Sequence, residues 1–144
     1  MHFANKPISG REVGEDGNAI VEFVGVMVVI IIPALVLLTG LATTTMAQLA
    51  LNDAARQSAR AYVRAQSASA AYSAGGSLAH QAWANHGFTE PIRLDFSCSA
   101  RPCLTPGESV TARVSATITV PVIGALTLHG EQTMVVDQYR VARP

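Results

Sequence analysis

From Phe23 to Asn52 the chain carries no charged side chain, and that gap limits its possible folds more than any other feature. The apolar part, Phe23 to about Ala42, supplies the ~20 residues that a helix needs to cross a ~30 Å hydrocarbon layer. The apolar core of a secretory signal runs to only about 7–15 residues and ends at a small-residue cleavage site. This run is longer, and Thr45-Met46-Ala47 is a poor site of that kind, so the segment is expected to stay in the protein as an anchor. One carboxylate, Glu22, stands at its entrance, five residues after Gly17. An ionisable group so close to lipid is costly and calls for a function.

Hydrophobic residues make up 49% of the 144 and charged residues only 14%, with a mean hydropathy of +0.30. Setting aside the leader and the span leaves about 100 residues, enough for one small domain with a modest core. Ten basic residues balance ten acidic ones, lysine occurs once, and no basic run is present. Nucleic acid is therefore not an expected partner. Charge does not orient the span on its own. Lys6 and Arg11 precede it together with Glu12, Glu15 and Asp16, while Arg56, Arg60 and Arg64 follow. Those arginines begin ~20 Å past Ala42 along a helix, which weakens their weight. Two cysteines and a strand-rich C-terminal part favour a cytoplasmic N-terminus with the domain outside.

Residues 1–17 are polar, contain Pro7, Gly10, Gly14 and Gly17, and read as an unstructured leader. A helix is expected from Asn18, bent at Pro33, with Gly25 and Gly40 as points of close approach for another helix. Beyond the span, Leu51, Ala54, Ala55, Ser58, Ala61, Tyr62 and Ala65 recur at three- and four-residue spacing and form a mildly apolar stripe. Asp53, Arg56, Arg60 and Arg64 take another face, with Asp53 and Arg56 close enough to pair. The arginine row reads as a solvated face, a lipid-phosphate contact or a surface for an acidic partner. Gly75-Gly76 is expected to stop this helix. Ser77 would then cap a short second helix with Leu78, Ala79, Ala82 and Trp83, closed by Gly87.

The period then changes. Ile92, Leu94, Phe96 and Cys98 alternate with Arg93, Asp95 and Ser97, and Val110 to Val120 alternates more clearly still. A short strand from Ala125 to Leu128, a turn at Gly130 and a last strand from about Gln132 to Val141 complete the expectation. The apolar face of these strands needs a cover, and the outer half of the long helix is the candidate. The fold class is thus α+β: a long membrane-spanning helix, a short helix and a small antiparallel sheet of three to four strands. The divisions are a leader over 1–17, a helix over 18–74 with its span at about 20–42, and an outer domain over 77–144.

Cys98 and Cys103 invite three readings: a disulfide closing a short loop, free thiols, or a metal site shared with His80 and His86. Neither the four residues between the cysteines nor the five between the histidines is diagnostic. No nucleotide-binding loop, metal-ligand motif or nucleophile–base pattern is visible. The chain is read as a non-enzyme needing no cofactor, with an anchored hydrolase or a metal enzyme using His80 or His86 as the remote alternative.

Gly17 followed by Glu22 and Phe23 resembles the processing motif of type IV-pilin-like precursors. The resemblance implies that a membrane-embedded aspartyl prepilin peptidase cuts between Gly17 and Asn18 on the cytoplasmic side. Glu22 then becomes the fifth mature residue, the position that family reserves for glutamate. Gly14 fails as a rival because Ala19 is its fifth follower, and Gly10 because Glu15 is followed by Asp16-Gly17 and not by an apolar helix. The stretch Gln48 to Ala61 is similar to the segment after the span in TadE-like proteins of the tight adherence (Tad/Flp) pilus-assembly system. So is the closing pattern of Val120-Pro121-Val122, Leu126-Thr127-Leu128 and Glu131 to Met134; residues 66–108 show no such likeness. The resemblance implies a minor pseudopilin, with Glu22 and Phe23 acting in assembly. Its implied partners are other pilins and pseudopilins, the prepilin peptidase, membrane platform proteins and the bilayer. An uncleaved, single-pass accessory or adhesive protein is the alternative.

Overall fold

The computed structural model describes residues 15–139 and Val141, with the backbone alone for residues 15–17. The chain divides into two units between Leu37 and Leu38. Helix α1, Glu15–Arg64, contributes to both. Most of the expected leader, with the rival sites Gly10 and Gly14, lies outside the described residues. Glu15 to Gly17, expected as leader, already belong to α1. One glycine costs a helix only about 1 kcal/mol, and a long cooperative helix absorbs it.

Among the described residues, the first unit consists of the helix. Ile20, Val21, Val29 and Ile30 are each at least 63% exposed, and no residue in the most apolar window is buried within the chain. Aliphatic surface on that scale is strongly unfavourable in water. The helix is long and apolar enough to span a bilayer. It is helical through Pro33.

The second unit is a layer of helix on a three-stranded antiparallel sheet in the order β1-β2-β3, formed by Ile92–Cys98, Ser109–Val120 and Gly124–Val135. Val110, Ala112, Val114, Ala116, Ile118 and Val120 on the inner face of β2 are all buried. Val114, Ala116, Ile118 and Val120 meet Ala47, Ala50, Leu51, Ala54 and Ala55 of α1, with Ala79, Ala82 and Trp83 of the second helix closing the core. Alanine is the right residue for such a helix face, because short side chains let the helix lie close to the sheet. The outer face is polar. Thr111 and Thr133 share a 2.8 Å hydrogen bond, Thr117 and Thr127 one of 2.9 Å, and Arg113 Nη2 lies 2.6 Å from Glu131 Oε2.

Four expectations about element limits need correction. The long helix stops at Arg64 instead of continuing to residue 74. Helix α2, Ala68–Asn85, starts well before Ser77. Its cap is Ser67, in an extended conformation, whose side chain accepts from the Ala70 amide at 3.3 Å. Gly75 and Gly76 therefore lie inside α2, and Gly75 is a contact residue: a Cβ there would meet Phe96 Cζ at 2.6 Å and Ser58 Oγ at 3.2 Å. The end of α2 is as expected, with Gly87 at φ +85° and its amide donating to the Ala84 carbonyl. Gly130 does not turn the chain. It sits within the continuous β3 opposite Val114, where a Cβ would fall 2.4 Å from the Leu51 carbonyl oxygen. Finally, β3 ends at Val135 and not at Val141. Val136 leaves the ladder to pair with the β1–β2 loop, its amide donating to Glu108 and its carbonyl accepting from Gly107.

A second cluster lies at the other end of the sheet. Tyr62, Ala71, Leu104, Val110 and Val136 are buried there beside Phe96 and the two cysteines. Tyr62 contacts Phe96 with ring centroids 4.4 Å apart and meets Tyr72 edge-on at 5.5 Å. Its hydroxyl is buried with no hydrogen-bond partner among the described residues. Burial, and next the Tyr72 phenol, raises its pKa above the ordinary 10.0; Tyr72 does this without reaching hydrogen-bond geometry. Because the folded state holds this proton more tightly than the unfolded chain, stability should fall as pH climbs past 10.0. Replacing Tyr62 with Phe is expected to stabilise the domain by about 1 kcal/mol at neutral pH and to reduce that alkaline loss. Urea unfolding at neutral and at alkaline pH checks both effects.

Candidate functional site

The residues singled out for processing and assembly all fall on the first turns of α1. The Gly17–Asn18 bond lies inside the helix, near its start. Asn18 and Glu22 are one turn apart and so share a face, and both are exposed. Phe23 is 62% exposed and adjoins Val24, Met27 and Val28 on the apolar surface. A carboxylate in this place, one turn from a potential new chain start, can meet an α-ammonium from its own chain or from a neighbour. The helix holds the Gly17–Asn18 bond in a folded form, and glycine lowers the cost of opening that turn.

Cys98 and Cys103 are joined in a disulfide, with Cα atoms 5.2 Å apart. It closes the start of the β1–β2 loop and helps hold Leu104, 3% exposed, against the second cluster. His80 is exposed. His86 Nε2 lies 3.7 Å from Asp53 Oδ2. Among the described residues, no three His, Cys, Asp or Glu side chains gather as a metal-binding group.

Asp53 is engaged away from its expected partner Arg56: its Oδ2 accepts from Gln57 Nε2 at 2.9 Å and faces His86. Arg56, Arg60 and Arg64 remain exposed along one wall of an open groove of about 480 Å³ between α1 and α2, with Leu78 opposite. Three guanidinium groups at successive turns make this wall cationic and suited to carboxylate or phosphate. The row was legible in the sequence, but the groove was not, because its second wall depends on where α2 packs. The buried alanine stripe was also read only in part. Ala47, Ala50 and Ala59 belong to it, whereas Ala61 and Ala65 are only half-buried.

No family model, curated protein or solved structure matches this chain.

Proposed function

We propose that this chain is a non-enzymatic minor pseudopilin of the TadE-like kind, cut by a prepilin peptidase after Gly17. It takes part in building a Tad/Flp-type pilus or a related secretion filament. The observation that carries this reading is the placement of Gly17, Glu22 and Phe23 at the mouth of an uncharged exposed helix. The same helix continues into an α+β unit whose sheet it covers. In this reading the N-terminus is cytoplasmic, the outer unit lies beyond the cell membrane, and its partners are other pilins and pseudopilins, platform proteins and the peptidase. Cleavage creates an α-ammonium on Asn18 at the membrane edge. Glu22 of one subunit pairs with that amine on a neighbour, offsetting much of the several kcal/mol that an isolated carboxylate costs in lipid. The pairing favours subunits held in register.

The helical state of the Gly17–Asn18 bond favours a second reading, an uncleaved single-pass accessory or adhesive protein. N-terminal sequencing of membrane-extracted protein, from cells with a working prepilin peptidase, separates the two. A start at Asn18 is expected. A chain retaining its first seventeen residues beside that active peptidase rejects the pseudopilin reading.

A further inference from the structure

The hairpin between β2 and β3 turns through Pro121, Val122 and Ile123. Its aliphatic side chains are largely exposed, Val122 by 87% and Ile123 by 62%. Val122 also adopts φ +69°, a left-handed conformation that β-branched residues take only against steric resistance. Hairpins that face water place Asn, Asp or Gly in such positions. Across the whole hairpin, from Val114 to Leu128, no side chain is charged.

The place of this tip gives the pattern its meaning. Val120, the last residue of β2, is packed on Gly40, where a Cβ would lie 3.1 Å from the valine Cγ1. Gly40 belongs to the distal end of the apolar stretch that closes near Ala42. At the same level of α1, Leu38 is 61% exposed and Leu41 65%. The next residues are three threonines, whose hydroxyls turn back onto their own helix. Thr43, Thr44 and Thr45 donate to the carbonyls of Thr39, Gly40 and Leu41 at 2.9, 2.6 and 2.8 Å. Polar side chains at lipid depth satisfy themselves in this manner. Met46, one residue on, is again 57% exposed.

We infer that the Pro121–Ile123 tip enters the lipid interface beside α1 and makes a second membrane contact for the outer unit. The apolar zone then reaches past Ala42 to the level of the threonines. The bilayer is the occupant because the tip continues the surface of a membrane-spanning helix and carries no charge for a polar partner to read. A second contact point holds the outer unit at the membrane surface instead of leaving it on a single tether. This inference rests on the membrane span and is independent of filament assembly.

Tryptophan depth measurement on the full chain tests it. Val122→Trp and Ile123→Trp are each placed in bilayers of phosphatidylcholine with and without brominated acyl chains. Trp83, 2% exposed and stacked on Phe88 at 4.4 Å, is the internal reference and should be unaffected. The added tryptophan is expected to emit at shorter wavelength than in water and to lose about twofold or more of its intensity in brominated lipid. Water-like, unquenched emission from both variants overturns the inference. Short-wavelength emission without quenching also overturns it, since it assigns the tip to a contact with another copy. Both changes lie outside the core, and circular dichroism verifies that the fold is retained.

Discussion

Replacing Gly130 with alanine is expected to push β3 away from α1 and to destabilise the second unit by about 3 kcal/mol or more. The added methyl would lie 2.4 Å from the Leu51 carbonyl oxygen, 2.5 Å from its carbon and 2.7 Å from the Asn52 nitrogen. All three are backbone atoms of a helix, so no side chain can rotate away to make room. Relief requires the strand or the helix to shift, and either movement opens the core that Leu51 shares with Val114 and Ile118. Gly76→Ala is the control. A Cβ there meets nothing within 4 Å, and the gain in helix propensity should stabilise by up to about 1 kcal/mol. Urea unfolding of both variants in detergent, followed by circular dichroism, gives the comparison. Wild-type stability in Gly130→Ala would mean that β3 does not rest on α1 at Leu51.

Changing Glu22 to alanine should leave the chain inserted and still cut at Gly17, while incorporation into filaments drops about 100-fold or more. Neither insertion nor the core needs this side chain. It is exposed at the start of the span, and the buried clusters all lie from Ala47 onward. In the proposed assembly, its removal leaves the neighbour's α-ammonium unpaired near lipid. A loss of about 3 kcal/mol corresponds to roughly a hundredfold in an equilibrium. Glu22→Gln should behave alike, because the defect is the missing charge and not the missing volume. Fractionation of membrane and sheared filament material measures the effect. Normal incorporation of either variant rules out charge pairing as the assembly device.

The residues proposed for processing stand out because their pattern is local: a glycine, a carboxylate five positions on, and an apolar helix behind it. The strand alternation of β1 and β2 was legible for the same reason, and so was the helix end at Gly87. Glycines were where sequence reading failed. Gly75, Gly76 and Gly130 all read as punctuation, since glycine is commonest where a chain must turn. In the fold, Gly75 and Gly130 serve instead through the absence of a Cβ, one beneath Phe96 and the other beneath the Leu51 backbone. Nothing near them in the sequence distinguishes the two uses.

The sequence by itself determined a helix long and apolar enough to span a bilayer, the α+β order of elements and the inner face of β2. Each follows from the placement of charged and apolar residues within one element, where solvent preference alone decides. Only the tertiary structure decided where α1 ends, which alanines lie under the sheet, and how α2 makes a groove of the arginine row. It alone also brought the bare Val122–Ile123 tip to the level of Gly40. Those outcomes depend on the close approach of segments far apart in the chain, and local periodicity carries no record of such distances.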